Sequence, residues 1–199
     1  VEEYAQMAEK LSQAGVDMLE VNVSCPNVKH GGLAFGTDCG AAAEVTAAVK
    51  KASTVPVMVK LSPNVTDVTA IARACEDAGA DALSLINTLL GMRIDVETGR
   101  PILHNNTGGL SGPAVLPVAV RMVWQVRQAV KLPILGMGGV ARWQDAAELM
   151  LAGADLVSVG TAMFREPMTP IQVRDGLHSY LQRKGLASPQ ALSGSVQTY

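Results

Sequence analysis

Apolar positions along the chain follow two alternating rhythms. Residues 3–14, 40–52, 68–78, 114–130 and 143–152 carry the three-to-four-residue spacing of amphipathic helices. Residues 16–23, 55–61, 81–87, 132–136 and 155–160 are short runs rich in β-branched and other apolar residues. Such runs suit strands of a parallel sheet covered on both faces. Gly15, Gly79 and Gly153 separate helix from run in three of the units, at the place where a helix closes on a left-handed residue. A helix followed by a short strand, repeated along the chain, predicts parallel strands joined by crossover helices.

Five strands can complete an open, doubly wound sheet, whereas a (β/α)8 barrel takes eight strands and about 250 residues. Two features favour the barrel. Each run ends in polar residues or glycine, as if all feed one rim. The last two runs lead into Gly138-Gly139 and Gly160-Thr161, which resemble the phosphate site after strands seven and eight of such barrels. The expectation is an α/β fold, a TIM (β/α)8 barrel of which the chain holds about strands 4–8, with the N-terminal part missing. One domain, 1–199, is expected. Residues 89–113, rich in Gly and Asn, read as an active-site loop. Residues 188–199 read as a loose terminal extension.

Composition narrows the function. The chain has 199 residues, 48% of them hydrophobic, enough for one sizeable core. A net charge of −2 offers no basis for binding nucleic acid or an anionic membrane. No apolar run approaches the roughly 20 residues of a membrane span. The N-terminus carries no signal-peptide pattern. It opens on a helical pattern without Met, which suggests a missing start. Cys25, Cys39 and Cys75 are widely spaced, with no CxxC or Cys/His cluster, so neither a metal site nor an iron–sulfur cluster is expected within this chain. Unpaired thiols fit a reducing, cytoplasmic setting. The Asn-x-Ser/Thr sequences at Asn22, Asn64 and Asn105 read as chance matches.

Chemistry concentrates at the strand ends. The first run delivers Asn22-Val23-Ser24-Cys25-Pro26-Asn27, a thiol between two carboxamides, with a proline that stops the strand. A thiol can exchange a proton near neutral pH, and carboxamides both donate and accept. The same hexapeptide also suits a buried cysteine followed by turn formers. Lys60 ends the second run, where its cation can face inward and stabilise electron density on a cofactor. Asn87-Thr88 end the third run and add a further carboxamide and a hydroxyl. Gly108, Gly109 and Gly112 precede a helix-starting Pro113. Gly138-Gly139 and Gly160-Thr161 offer free backbone N–H groups at two turns, a cradle for one phosphate. A cradle for one phosphate points to a mononucleotide such as FMN rather than to a dinucleotide. His30, His104 and His178 have no metal-ligand spacing. Asp145 and Glu148 fit the first turn of a helix, where negative charge complements the dipole.

Together these strings resemble the dihydroorotate dehydrogenases. The matching segments are 22–27, 59–63, 86–88, 108–114, 136–140 and 159–162, in the family's order. Residues 28–32 and 87–93 are similar to the NAD-linked class 1B catalytic subunit. Class 1A members have a different loop after the Ser-Cys-Pro-Asn string, and membrane-bound class 2 members use serine where Cys25 stands. Dihydropyrimidine dehydrogenases, which reduce uracil or thymine, share Ser-Cys-Pro but usually carry His at the place of Asn27, and are the nearest alternative. A non-redox phosphate-binding barrel and a non-catalytic barrel fragment are the others. The resemblance implies that Cys25 is the catalytic base, taking a proton from C5 of dihydroorotate while hydride passes from C6 to FMN. It implies that Asn22 contacts flavin and substrate, and that Asn27, Asn87 and Thr88 hold the pyrimidine. Lys60 would lie beside the flavin and stabilise its reduced form. Ile86 and Gly112 would line the flavin pocket, and Gly138, Gly139, Gly160 and Thr161 would hold the phosphate. FAD and an iron–sulfur cluster are expected only on a partner subunit that passes electrons to NAD+, around a homodimeric core of a heterotetramer. A free thiol has a pKa of about 8.5, so a Cys25 base should work better as pH rises. Gly31, Gly32 and Gly36 make 28–37 a candidate closing loop.

Overall fold

The structure, a computed structural model, describes residues 1–24 and 32–199. Helix α1 (Glu2–Ser12) leads to β1 (Leu19–Asn22), and α2 (Gly32–Thr37) and α3 (Cys39–Ala52) lead to β2 (Val57–Lys60). Next come α4 (Val68–Asp77) and β3 (Ala82–Leu85). An excursion follows with β4 (Leu89–Gly91), β5 (Ile94–Asp95), β6 (Arg100–Pro101) and β7 (Gly108–Leu110). The chain continues with α5 (Leu116–Ala129), β8 (Ile134–Met137), α6 (Trp143–Ala152), β9 (Leu156–Ser158) and α7 (Thr169–Lys184). Gly15, Gly79 and Gly153 all have positive φ, as their positions between helix and strand predict. No described helix is long and apolar enough to cross a membrane.

The main sheet has the order β1-β2-β3-β8-β9, and every pairing in it is parallel. Each strand lies beside the strand before it in the chain. A doubly wound sheet reverses its order at a switch point, and this one does not. The helices pack in the same succession, α1 on α3, α3 on α4, α4 on α5, α5 on α6 and α6 on α7. This is part of a (β/α)8 barrel, in agreement with the sequence expectation.

Register sorts the strand residues into two faces. Val21, Val57, Val59, Leu83, Leu85 and Ile134 are buried in the core that the helices share. The alternate positions form the inner face. One row on it runs Asn22, Lys60, Ser84, Leu135, Leu156 across all five strands. The edge of that row is open, with Leu156 64% exposed.

Two aspartates tie strand starts to helices. Asp81 pairs with Lys50 of α3 and accepts from the Val57 N–H at 2.7 Å. Asp155 pairs with Arg127 of α5 and accepts from the Ile134 N–H at 2.8 Å. Both follow a Gly-Ala pair, so the same local sequence builds the same clamp twice. Partial burial draws the Asp81 carboxyl upward, but hydrogen bonds from Lys50 and Val57 outweigh it and hold the pKa below the ordinary range. These clamps sit at the strand starts and leave the opposite rim for chemistry.

One expectation is sharpened and one needs correction. Residues 89–113, whose last four residues line a cavity at the strand ends, are an active-site loop ordered by two small ladders: β4 pairs antiparallel with β7, and β5 with β6. A turn closes the inner pair, with Asp95 Oδ1 accepting from the Glu97 and Thr98 N–H groups. Gly and Asn content masked the short apolar stretches on either side. Residues 188–199 are not a loose extension. Leu192 is buried against Met150 and Leu181, and Gly194 N–H donates to the Met150 carbonyl at 3.0 Å. A single leucine and backbone hydrogen bonds dock a segment that has no periodicity to announce it.

Candidate active site

A cavity of about 240 Å³ opens at the C-terminal ends of the strands. Lys60, Ile86, Asn87 and Thr88 line it from the β2 and β3 ends. Gly112, Gly138, Gly139, Gly160 and Thr161 line it from the later turns. Nine residues singled out from sequence therefore meet in one place. Asn22 does not line the cavity but contacts a residue that does. Cys25 and Asn27 lie outside the described residues, as do His30 and Gly31.

The amide side of the site is a connected network. Asn22 Oδ1 accepts from the Ser24 N–H at 3.1 Å, from Ser24 Oγ at 2.8 Å and from Asn87 Nδ2 at 3.3 Å. Asn87 Nδ2 also donates to Ser24 Oγ at 2.7 Å, and Asn87 Oδ1 accepts from the Thr88 N–H at 2.7 Å. The Asn22 carbonyl is thus occupied, which leaves its NH2 group as the free functional end among the described residues. Ser24, fully buried, is a positioning residue the sequence reading did not single out. Asn64 is another. Its amide donates to the Thr88 carbonyl at 3.0 Å, and its Oδ1 accepts from the Leu90 N–H at 2.9 Å. The Ser-Pro-Asn turn after Lys60 was the available signal for it.

The glycine turns differ in what they need. Gly138 and Gly139 have φ of 118° and 83°. A Cβ on Gly138 would meet Ile86 Cγ1 at 2.9 Å, and one on Gly139 would meet the Leu116 nitrogen at 2.8 Å. Both conformation and space therefore demand glycine here. At Gly160 an added Cβ meets nothing within 4 Å. Thr161 opens a short 3-10 turn, whose first N–H groups have no partner within the turn. Its hydroxyl donates to Ser111 Oγ at 2.8 Å and joins the two late loops. Asp145, buried at the start of α6, accepts from the Ala141 and Arg142 N–H groups at 2.9 and 2.8 Å. These two bonds satisfy N–H groups at the helix start and fix the turn that follows Gly138-Gly139.

Electrostatically the cavity is simple. Lys60 is the only charged side chain among its described lining residues. Its Nζ lies 3.2 Å from Glu20 Oε1, and Glu20 does not line the cavity. Ser84, the register partner of Lys60, is fully buried, and its hydroxyl has no hydrogen-bond partner among the described residues. Cys75 is buried elsewhere, and burial pushes its thiol up to about 11. Neither His104 nor His178 lines the cavity, and His178 is exposed beside Gln182. Among the described residues no three His, Cys, Asp or Glu side chains assemble as a metal site.

Comparison with known proteins supplies the family. The dihydroorotate dehydrogenase family model matches residues 1–181. The catalytic subunit of dihydroorotate dehydrogenase B (NAD(+)) from Geotalea uraniireducens is 56% identical over 199 residues, covering 100% of this chain and 65% of that protein. The subunit of the same name from Bacteroides thetaiotaomicron is 52% identical over 198 residues, covering 99% and 65%. The chain thus spans about two thirds of the length of these relatives. In fold it is similar to the Eimeria tenella dihydroorotate dehydrogenase crystallised with ferulenol, with a TM-score of 0.80 over 96% of this chain and 57% of that one, at 24% identity. With 181 of its residues matched by one family model, and the strand-end strings lying inside that match, the chain belongs to the dihydroorotate dehydrogenase family.

Proposed function

We propose that the protein containing this chain oxidises (S)-dihydroorotate to orotate in de novo pyrimidine synthesis, as a flavoprotein oxidoreductase with FMN as immediate acceptor. The observation that carries this reading is the convergence of Lys60, the Asn87-Thr88 pair and both glycine turns on one cavity. FMN fits this donor set. Its phosphate suits two backbone turns, and its electron-accepting ring suits a cavity whose described lining has one cation and no carboxylate. When bound, FMN supplies a two-electron acceptor that no side chain provides.

Gly138, Gly139, Gly160 and Thr161 hold the phosphate in this reading, and Asp145 keeps the first of those turns in shape. Ile86 and Gly112 border the ring, with Lys60 beside it. Asn22, through its NH2 group, reaches both flavin and substrate. Asn27, Asn87 and Thr88 orient the pyrimidine, and Ser24 and Asn64 hold those groups in place. Cys25 removes the C5 proton. The relatives' designation as a catalytic subunit supports a partner, which we read as an FAD and iron–sulfur protein that passes electrons to NAD+. A homodimer at the core of a heterotetramer, in the cytoplasm, completes the proposal.

The test uses the full-length protein, purified and kept anaerobic. Bound FMN and bleaching of the flavin band by dihydroorotate are the expected results. A protein without flavin, or a flavin that responds to dihydrouracil and not to dihydroorotate, overturns the reading.

A further inference from the structure

Lys60 lies at the end of β2 and contributes the only charge on the described cavity lining. Its Nζ is 3.2 Å from Glu20 Oε1, with side chains 21% and 32% exposed, so the pair is partly sheltered from water. The two residues come from neighbouring parallel strands. The register partner of Lys60 is Asn22, and Glu20 stands two residues earlier on the same inner face. The lysine stem therefore runs back along the sheet, one layer deeper, to meet the carboxylate. On the other side, Lys60 faces Ser84, which carries no charge. Glu20 is the ion-pair partner of Lys60 among the described residues.

A carboxylate at this distance has two effects on a flexible ammonium. It restricts the stem to one orientation, and it offsets part of the positive charge that reaches the cavity. Both matter for a ligand whose own charge changes during turnover. We propose that Glu20 is a positioning residue for Lys60, which sets through that ammonium how strongly the site favours reduced over oxidised flavin. The inference rests on the FMN reading above and extends it to a residue outside the cavity lining.

The experiment measures the midpoint potential of bound FMN in the full-length protein by dye-linked anaerobic titration. Wild type, Glu20→Gln, Lys60→Met and the double variant are compared, and FMN content is read from absorbance. In Glu20→Gln the unbalanced ammonium should favour reduced FMN about tenfold more, a rise of roughly 30 mV for a two-electron couple. In the Lys60→Met background the Glu20 substitution should move the potential little. Glu20→Ala repeats the comparison if the Gln variant does not fold. Stoichiometric FMN with an unchanged potential in Glu20→Gln overturns the proposal, as does an equal shift with and without Lys60. A wild-type protein that binds no FMN overturns the cofactor reading itself, and the two failures are told apart by the flavin spectrum.

Discussion

Asn87 Nδ2 donates to Ser24 Oγ over 2.7 Å and joins the segments that follow β1 and β3, 63 residues apart in the chain. The contact passes over the end of β2, where Lys60 sits, and braces the amide side of the cavity. Ser24→Ala removes both the acceptor for Asn87 and a donor to Asn22 Oδ1, leaving the 3.3 Å Asn87–Asn22 contact. Asn87 is half-buried and keeps one partner, so loss of this hydrogen bond should cost about 1 kcal/mol. We expect a lower urea midpoint and a raised KM for dihydroorotate, with FMN content preserved. Wild-type KM in the variant counts against a bracing role.

The glycine turns separate packing from ligand contact. Gly139→Ala puts a Cβ against the Leu116 nitrogen at a φ of 83°, and strain of this kind costs about 1–3 kcal/mol. Loss of both stability and FMN is expected. Gly160→Ala meets open space and should leave the melting temperature near wild type while weakening FMN retention on gel filtration. Equal destabilisation by both substitutions contradicts this division.

Asp81 links stability to pH. Its folded pKa lies below the unfolded value, so the unfolded chain takes up the proton first as pH falls. The stabilisation is complete above the unfolded pKa of about 4 and disappears as pH falls through the lower folded value. The Lys50 and Asp81 side chains are 38% and 36% exposed, and solvent screening limits the pair with its backbone hydrogen bond to about 1 kcal/mol. Asp81→Asn should lose that amount at pH 7, and the difference from wild type should narrow as pH falls below the unfolded value of about 4. Denaturant melts above and below that value provide the check.

In the proposed reaction Cys25 is the base. Cys25→Ser should retain FMN and lose most turnover, with the residual rate rising toward alkaline pH as a weaker acid replaces the thiol. Cys75, with its thiol pushed up to about 11 inside the core, should tolerate Cys75→Ala with turnover close to wild type. Unchanged turnover in Cys25→Ser at neutral pH sinks the assignment.

The repeating units were legible in the chain because hydrophobic periodicity is local. Apolar runs at 55–61 and 81–87 announce β2 and β3, and a glycine at 15, 79 and 153 marks the helix ends. The cavity residues were legible too, since most stand at or just after the end of an apolar run, where a parallel sheet gathers its loops, and Gly112 precedes a helix-starting proline. Asp145 was legible as a first-turn acid of α6, whereas its contacts, like Ser24 and Asn64, were harder to read. Each of the three residues acts through hydrogen bonds whose partners depend on how turns close, and composition does not encode that closure. The docked tail escaped for a related reason, because Leu192 contributes burial without any periodic signal.

The sequence by itself determined the succession of helices and strands and the chemical character of their ends, because spacing and side-chain type are properties of the chain alone. Strand order was decided only by tertiary structure, and its unbroken succession bore out the barrel that the strand-end residues had favoured over a doubly wound sheet. The pairing of Glu20 with Lys60 was decided there as well. Two polar residues 40 positions apart become an ion pair only when β1 and β2 align in register and place them on one face.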